Sequence, residues 1–481
     1  MRIGQTSAVN FVSSTLTSAI GFFATLYFAR VVGSEALGIY FLLQSAVAWI
    51  TILIDAGLSK AIAKRMSEGR EPGMYFQLGL LLVGAGTVVL VFMLLALSRP
   101  ITNYIQHPLA TFLLIVLVVS SLTRSMVRSG LSGSHNVHVS GILDSVQSIL
   151  RVGLQVGAVT LGLGLAGLVY GWVVAALLIA IAGVVYLMND LQAFPTTRVD
   201  NVQRKLASLY AFGKYAWLGS IKAKTNNHAD ILILGLFVPN NLIGVYSICW
   251  NIASFLTIFG SSINATLFPE ISRLDQQDDD EEIADLLGKS IQYTGLLVIP
   301  GLFGGFLLAP EILRIYGSDF TVGTEVLLLL IVSVWLYDYQ KQLTNVLAGM
   351  DRPDLDFRVN GVFVGLNIVL NLFLIPLIGW VGAAVATVLS SLLSMIYAYY
   401  VVDQIVRVNL PYQEIGKQFL ASILMSAVVL ILKHVEVRYS VLDSNFAIVM
   451  FLVFVGAITY IIFLVFVSED TRHTVVRNLD I

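Results

Sequence analysis

The stretch VVGSEALGIY (31–40) recurs 206 residues later as FVPNNLIGVY (237–246), and each copy closes one apolar run and opens the next. A second match joins GLAGLVYGWVVAAL (164–177) to GWVGAAVATVLSSL (379–392), and Gly133 answers Gly349 at nearly the same offset. The chain therefore reads as one six-helix unit written twice. Both copies start on the same side of the membrane, so they are parallel repeats related by an axis along the membrane normal. That is a transporter signature, with the substrate site expected between the halves.

The medium follows from composition. Of 481 residues, 57% are apolar and only 12% charged, against about 25% charged in soluble domains. Mean hydropathy is +0.84. The apolar runs are about 20 residues long, enough to cross ~30 Å of hydrocarbon as helices, and too long for barrel strands. Fourteen spans are expected, near 8–29, 37–63, 75–97, 109–129, 139–161, 163–187, 213–236, 242–268, 289–308, 322–347, 357–378, 380–401, 414–432 and 445–467. The expected organisation is a first bundle over 1–195, a second over 196–405 and two extra helices over 406–481. The N-terminal MRIGQTSAVNFVSSTLTSAI reads as the first span, not as a removed signal peptide. Cys249 cannot form an internal disulfide and reads as a packing residue.

Lysine and arginine placement sets the orientation. With the N-terminus cytoplasmic, inner segments hold most of the basic residues, among them Lys64, Arg65, Arg124, Arg128, Arg204 and Arg352. Outer segments keep only Arg30, Arg99, Arg314, Lys433 and Arg438. The expectation is a multi-pass cell-membrane protein with both termini cytoplasmic. The acidic run Asp278–Glu282 then reads as a solvated cytoplasmic loop.

DSVQSILRVGLQVG (144–157) is the most informative span. As a helix it lines up Asp144, Gln147, Ser148, Arg151 and Gln155 on one face. Arg151 falls near the bilayer midplane, where a charge costs roughly 2.5–3.5 kcal/mol or more, so this face avoids lipid. In the second copy Asp144, Arg151 and Gln155 map to Asn360, Asn367 and Asn371, which keeps the stripe polar and removes its charge. Residues seven apart are separated by ~10 Å along a helix, so Asp144 and Arg151 need another helix to neutralise each other. Two readings stay open, packing against neighbours or the lining of a cavity. An arginine there suits a phosphate or pyrophosphate.

Other intramembrane polar groups carry the same pair of readings. The span containing GSIKAKTNNHADILIL (219–234) places Lys222, Asn226 and Asp230 on one broad face, with Lys224 and Asn227 nearby. Span 1 has Asn10, Ser14, Thr17 or Ser18, and Thr25 at helical spacing, as a cavity lining or as ordinary small-residue helix contacts. Asp55 reads either as a local ion pair with Lys60 or as an ion-coupling site, and Asp230 is the other coupling candidate.

ARVVGSEALGIY (29–40) followed by DAGLSKAIAKR (55–65) resembles the opening of polysaccharide-biosynthesis flippases. These share a superfamily with multidrug extruders and lipid II flippases. LGLFVPNNLIGVY (234–246), LFPEISRL (267–274), AGMDRPDLDFRVN (348–360) and NLFLIPLIGWVGAAVAT (371–387) continue the likeness in order. The resemblance implies two bundles around a V-shaped cavity and alternating access. It implies as substrate a sugar linked to a polyprenyl- or dolichyl-phosphate-type lipid, whose head group crosses inside while its tail stays in the membrane lipid. It also makes Arg30, the first arginine of the motif, a candidate phosphate ligand beside an alternative of snorkelling to the surface.

Absences narrow the field. No GxxxxGK[ST] builds in an ATPase, no Cys/His cluster suggests a metal, and no cofactor or nucleic acid is called for. Short outer loops disfavour a glycosyltransferase or polymerase, so an enzyme is not expected. A multidrug/cation antiporter and a non-transporting member of a glycan assembly complex remain as rivals. Coupling to H+ or Na+ is left open by the sequence.

Overall fold

The computed structural model describes residues 3–55, 57–69, 71–191, 202–439 and 444–468. The side chains of 3–19, 189–191, 214–227, 259, 265–266 and 437–439 lie outside that description. Among the described residues the chain is all helical, without strands. Eleven helices are long and apolar enough to cross a membrane, and a bent pair makes up to twelve. Large apolar side chains such as Leu81, Phe92, Leu377 and Phe466 are exposed on them, as a lipid-facing surface requires. This is a multi-pass membrane protein.

The chain forms two compact units, Met1–Gly244 and Val245–Ile481. The first contains α1 (Ile3–Asp55), α2 (Leu58–Ser67), α3 (Pro72–Ala96), α4 (Ser98–Ile105), α5 (Ala110–Gly133), α6 (Val137–Thr160), α7 (Gly164–Leu191) and α8 (Val202–Phe237). Two of the expected spans run together in α1, which breaks at Gly33 (φ 84°, ψ 172°), a conformation open to glycine and strained for other residues. The second of those spans also stops earlier than expected. Gly57 is left-handed (φ 76°), and α2 restarts beyond it as a short helix burying Ser59, Ala61, Ile62 and Met66.

The two sequence-matched turns meet inside this unit. A Cβ on Gly38 would collide with the Asn240 carbonyl, and one on Gly244 would collide with the Ser34 carbonyl. Each glycine of the matched pair thus admits the backbone of the other's turn. Around this contact α8 packs on α1 and α2. It is tied by a Tyr104 hydroxyl donating to the Leu232 carbonyl (2.5 Å) and by an ion pair between Lys205 and Glu71.

The second unit takes the remainder of α9 (Asn240–Phe255), then α10 (Thr257–Asp275), α11 (Asp280–Tyr316), α12 (Thr324–Gly349), α13 (Pro353–Ile378), α14 (Val381–Asp403), α15 (Tyr412–Tyr439) and α16 (Asn445–Val467). The span expected over 242–268 is two helices, α9 and α10, bent by 50°. The acidic run has a structural task. The Asp279 carboxylate accepts the Glu282 N–H at 3.1 Å, and Asp280, Glu281 and Glu282 occupy the first turn of α11, where negative charge meets the positive end of the helix dipole. The last two helices pack on α11 through Leu308, Met425, Val429, Leu452 and Leu464, aided by a Lys433–Glu311 ion pair of 2.9 Å.

Candidate functional site

The polar stripe of α6 is assembled with side chains from α1, α5 and α7, all within the first unit. Gln155 is 2% exposed. Its amide donates to the Tyr40 hydroxyl on α1 and to the Leu168 carbonyl on α7, both at 2.7 Å. Gly171 makes this possible, because a Cβ there would stand 2.7 Å from the Gln155 backbone nitrogen. Helices α6 and α7 therefore touch at their backbones, and Gln155 reaches across to α1.

One turn earlier, the Arg151 guanidinium lies over the Trp172 ring, 5.1 Å from its centroid. Such a contact contributes about 0.5–1 kcal/mol when exposed and about 2 or more when desolvated. The Trp172 ring packs edge-on against Tyr40 at 6.3 Å. Arg151 has no carboxylate partner among the described residues, and its Nε is buried without an acceptor. A guanidinium held by a ring face and not by an acid keeps the planar fork that suits a carboxylate or phosphate.

The other helix that Asp144 needs is α5. Asp144 accepts from Arg124 Nη1 at 3.2 Å and forms an ion pair with Arg128 Nε at 3.3 Å, and Arg124 also donates to Gln147 Oε1 at 3.0 Å. Arg124 and Arg128 join this cluster, although their place in the sequence reads as cytoplasmic positives. Their signal was present, since they sit at the end of the span preceding the Asp144 stripe. One carboxylate among three arginines leaves this face with an excess of two positive charges.

The remaining candidates go to different places. Asn367 and Asn371 on α13 are buried in the second unit, where Asn371 donates to the Asn367 carbonyl at 2.8 Å and Asn367 approaches Thr387 on α14. Asn360 donates to Asp356 at 2.7 Å. Asp55 accepts the Ser59 N–H at 2.8 Å and so caps α2, and it forms no ion pair with Lys60. Arg30 is exposed on α1, three residues before the break. Asp230 is half-buried on α8, near His228, whose Nδ1 is 3.1 Å from the Ser45 hydroxyl on α1. The side chains of Lys222, Lys224, Asn226 and Asn227, like those of Asn10, Ser14, Thr17 and Ser18, lie outside the description. Among the described residues no three His, Cys, Asp or Glu side chains are grouped to hold a metal.

Comparison with known proteins places this geometry in context. A family model described as "Polysaccharide biosynthesis protein" matches residues 27–323. A probable flippase of Haloferax volcanii, AglR, is 30% identical over 99% of this chain and 98% of its own length. A probable low-salt glycan biosynthesis flippase of the same organism, Agl15, is 27% identical over 100% of this chain and 99% of its own. Among solved structures, the lipid II flippase MurJ in an inward closed conformation matches 96% of this chain and 99% of its own, with a TM-score of 0.78 at 15% identity. An inward-facing multidrug resistance MATE transporter covers 81% of this chain and 94% of its own, with a TM-score of 0.64 at 14% identity. At these identities the two structures share the fold.

Proposed function

Because the chain belongs to the polysaccharide biosynthesis protein family, we propose that it is a flippase for glycan assembly, carrying a lipid-linked sugar across the cell membrane by alternating access. The observation that carries this reading is Arg151. It stands in mid-span, over Trp172 and without an acid partner among the described residues, beside the Gln155–Tyr40 bridge. An isolated cation in that position is costly, and a phosphate of a lipid-linked head group offsets the cost. The guanidinium fork takes two phosphate oxygens, and Trp172 keeps it from turning away. Arg124 and Arg128 raise the local anion concentration, with Asp144 neutralising part of their charge.

Two curated relatives carry flippase names and span this chain end to end, which supports the assignment to transport and not to catalysis. The finer reading has fourteen spans in two six-helix halves, 1–195 and 196–405, with 406–481 as an appendage and both termini cytoplasmic. The mutual packing of the Gly38 and Gly244 turns supports the repeat. The carrier is of polyprenyl- or dolichyl-phosphate type.

The test uses the full chain in proteoliposomes with a fluorescent dolichyl-phosphate-linked hexose, read by an impermeant quencher. The wild type should equilibrate the probe between leaflets. Arg151→Ala should slow it by at least tenfold at equal protein, because a hydrogen bond to a charged group contributes about 1.5–3 kcal/mol. Equal rates for the two proteins would remove Arg151 from the head-group site.

A further inference from the structure

The second unit holds the converse of Arg151, a buried acid with no cation paired to it among the described residues. Asp338 on α12 is 1% exposed, and its Oδ2 has no hydrogen-bond donor. It faces a notch in α10. The Cβ that Gly260 lacks would lie 3.3 Å from Asp338 Oδ2 and 3.4 Å from Thr294 Cγ2 on α11. Three further buried polar groups in this part of the unit are equally unsatisfied. They are the Thr294 hydroxyl, the Asn264 amide one turn beyond Gly260, and the Gln342 amide one turn beyond Asp338.

Among the described residues the charged group that acts on Asp338 is Lys341, three residues on in the same helix. It forms no ion pair with Asp338, and its Nζ donates instead to the Ser261 hydroxyl on α10 at 3.1 Å. The other titratable groups around Asp338 are Tyr337 and Tyr339 on α12, with Asp356 of α13 acting on Tyr337. The residues that meet it at the notch from α10 and α11, Gly260 and Thr294, do not titrate.

An anionic oxygen buried without a donor is the most expensive form of this side chain, and a neutral carboxylic acid is far cheaper. A lysine one turn away that could neutralise the anion is engaged elsewhere. We propose that Asp338 is a proton-binding site, protonated in the conformation seen here and ionised in a second one in which Lys341 leaves Ser261 and pairs with it. The step is a single proton transfer. The Asp338 O–H bond breaks, its electron pair stays on the carboxylate, and the proton passes to water on the side to which the site opens. Reprotonation from the other side returns Lys341 to Ser261. Export of the lipid-linked sugar is thereby coupled to proton entry, and this coupling rests on the flippase reading.

Two measurements separate the proton site from that reading. The first needs no substrate. Infrared spectra of the full-length protein in nanodiscs, titrated with alkali, should show a carboxylic acid C=O band that is lost as pH rises and is missing in Asp338→Asn. In Lys341→Gln the band should persist to higher pH, because the carboxylate has lost its partner. Identical titrations of wild type and Asp338→Asn overturn the proposal, and so does an unmoved titration in Lys341→Gln. The second uses the dolichyl-phosphate-linked hexose in proteoliposomes with an imposed pH gradient. The gradient should accelerate wild-type transport several-fold and leave Asp338→Asn unchanged. A variant that responds like the wild type, or a wild type that ignores the gradient while transporting, refutes the coupling. Absence of transport with a normal infrared titration refutes the choice of cargo and the coupling built on it, and leaves the proton site standing.

Discussion

Substitution of Gly171 by alanine tests whether backbone contact between α6 and α7 positions the Arg151 site. The added methyl would lie 2.7 Å from Gln155 Cγ and from its backbone nitrogen, and 2.8 Å from its Cα. Ordinary contact begins near 3.4 Å, so the helices must separate by about 0.7 Å, an overpacking that costs roughly 1–3 kcal/mol. The same shift stretches the 2.7 Å bond from Gln155 to the Leu168 carbonyl, which adds about 1 kcal/mol. Alanine's better helix propensity returns about 1 kcal/mol, so the net loss is about 1–3 kcal/mol. The control is Gly153→Ala on α6, where a Cβ meets nothing within 4 Å and propensity alone acts. Thermal unfolding of both variants, followed by tryptophan fluorescence in detergent, should give a lower midpoint for Gly171→Ala and an equal or higher one for Gly153→Ala. Adding Gln155→Ala should not rescue Gly171→Ala, since two of the three clashing atoms are backbone. Matching midpoints for the two glycine variants, or rescue by the double change, would refute the argument.

Three further outcomes are expected. Arg151→Lys should recover only part of the transport lost in Arg151→Ala, and Arg151→Asn should reach wild-type abundance in the membrane with transport reduced. Full rescue by lysine would show that a point charge suffices. Asp144→Asn should cost about 1 kcal/mol per broken pair, because Arg128 is exposed and Arg124 is only half-buried. The double variant Asp144→Asn with Arg151→Asn should be as defective as Arg151→Asn alone, and restored transport would mean that the two charges serve each other. A cysteine at Asn241 should react with an impermeant thiol reagent from outside, while cysteines at Ser67 and Asp280 should not. Outside labelling at Asp280 would reverse the orientation.

Most of the expected apolar stretches lie within helices, because twenty-residue apolar runs leave few alternatives in lipid, and eleven helices among the described residues, or up to twelve with the bent pair, are long and apolar enough to span. What periodicity could not mark were the joints. Gly33 bends a helix without ending it, Gly57 ends one inside an apolar run, and α9 and α10 part within a single hydropathic segment. The candidate site was half legible. A stripe containing Arg151 and Gln155 is visible in one helix, but the Asp144 partners lie on α5 and Trp172 on α7, and pairing between helices has no signature in a single sequence. Asp338 and Lys341 were written plainly in LYDYQKQLTN (336–345). They escaped notice because they form no long stripe, and what distinguishes Asp338 is the missing side chain of Gly260 on another helix.

The sites proposed at Arg151 and Asp338 would bind opposite charges, an anion in the first unit and a proton in the second, and together they set a charge count for the cycle. A phosphodiester-linked cargo leaves as a monoanion. If one proton enters for each cargo exported, two elementary charges cross the membrane per turnover. Each is driven by about 2.3 kcal/mol per 100 mV, so a 100 mV inside-negative potential biases export by about 4.6 kcal/mol. Asp338→Asn keeps the anion site and loses the proton, which leaves one charge and about 2.3 kcal/mol. At equal pH on both sides, the steady outer-to-inner ratio of a dolichyl-phosphate-linked hexose should fall about 40-fold between the two proteins at that potential, at 1.4 kcal/mol per decade. Proteoliposomes with a potassium diffusion potential set by valinomycin give the ratio directly. The same potential dependence in both proteins would mean that Asp338 carries no charge across, and that the anion at Arg151 is the whole of the electrical work.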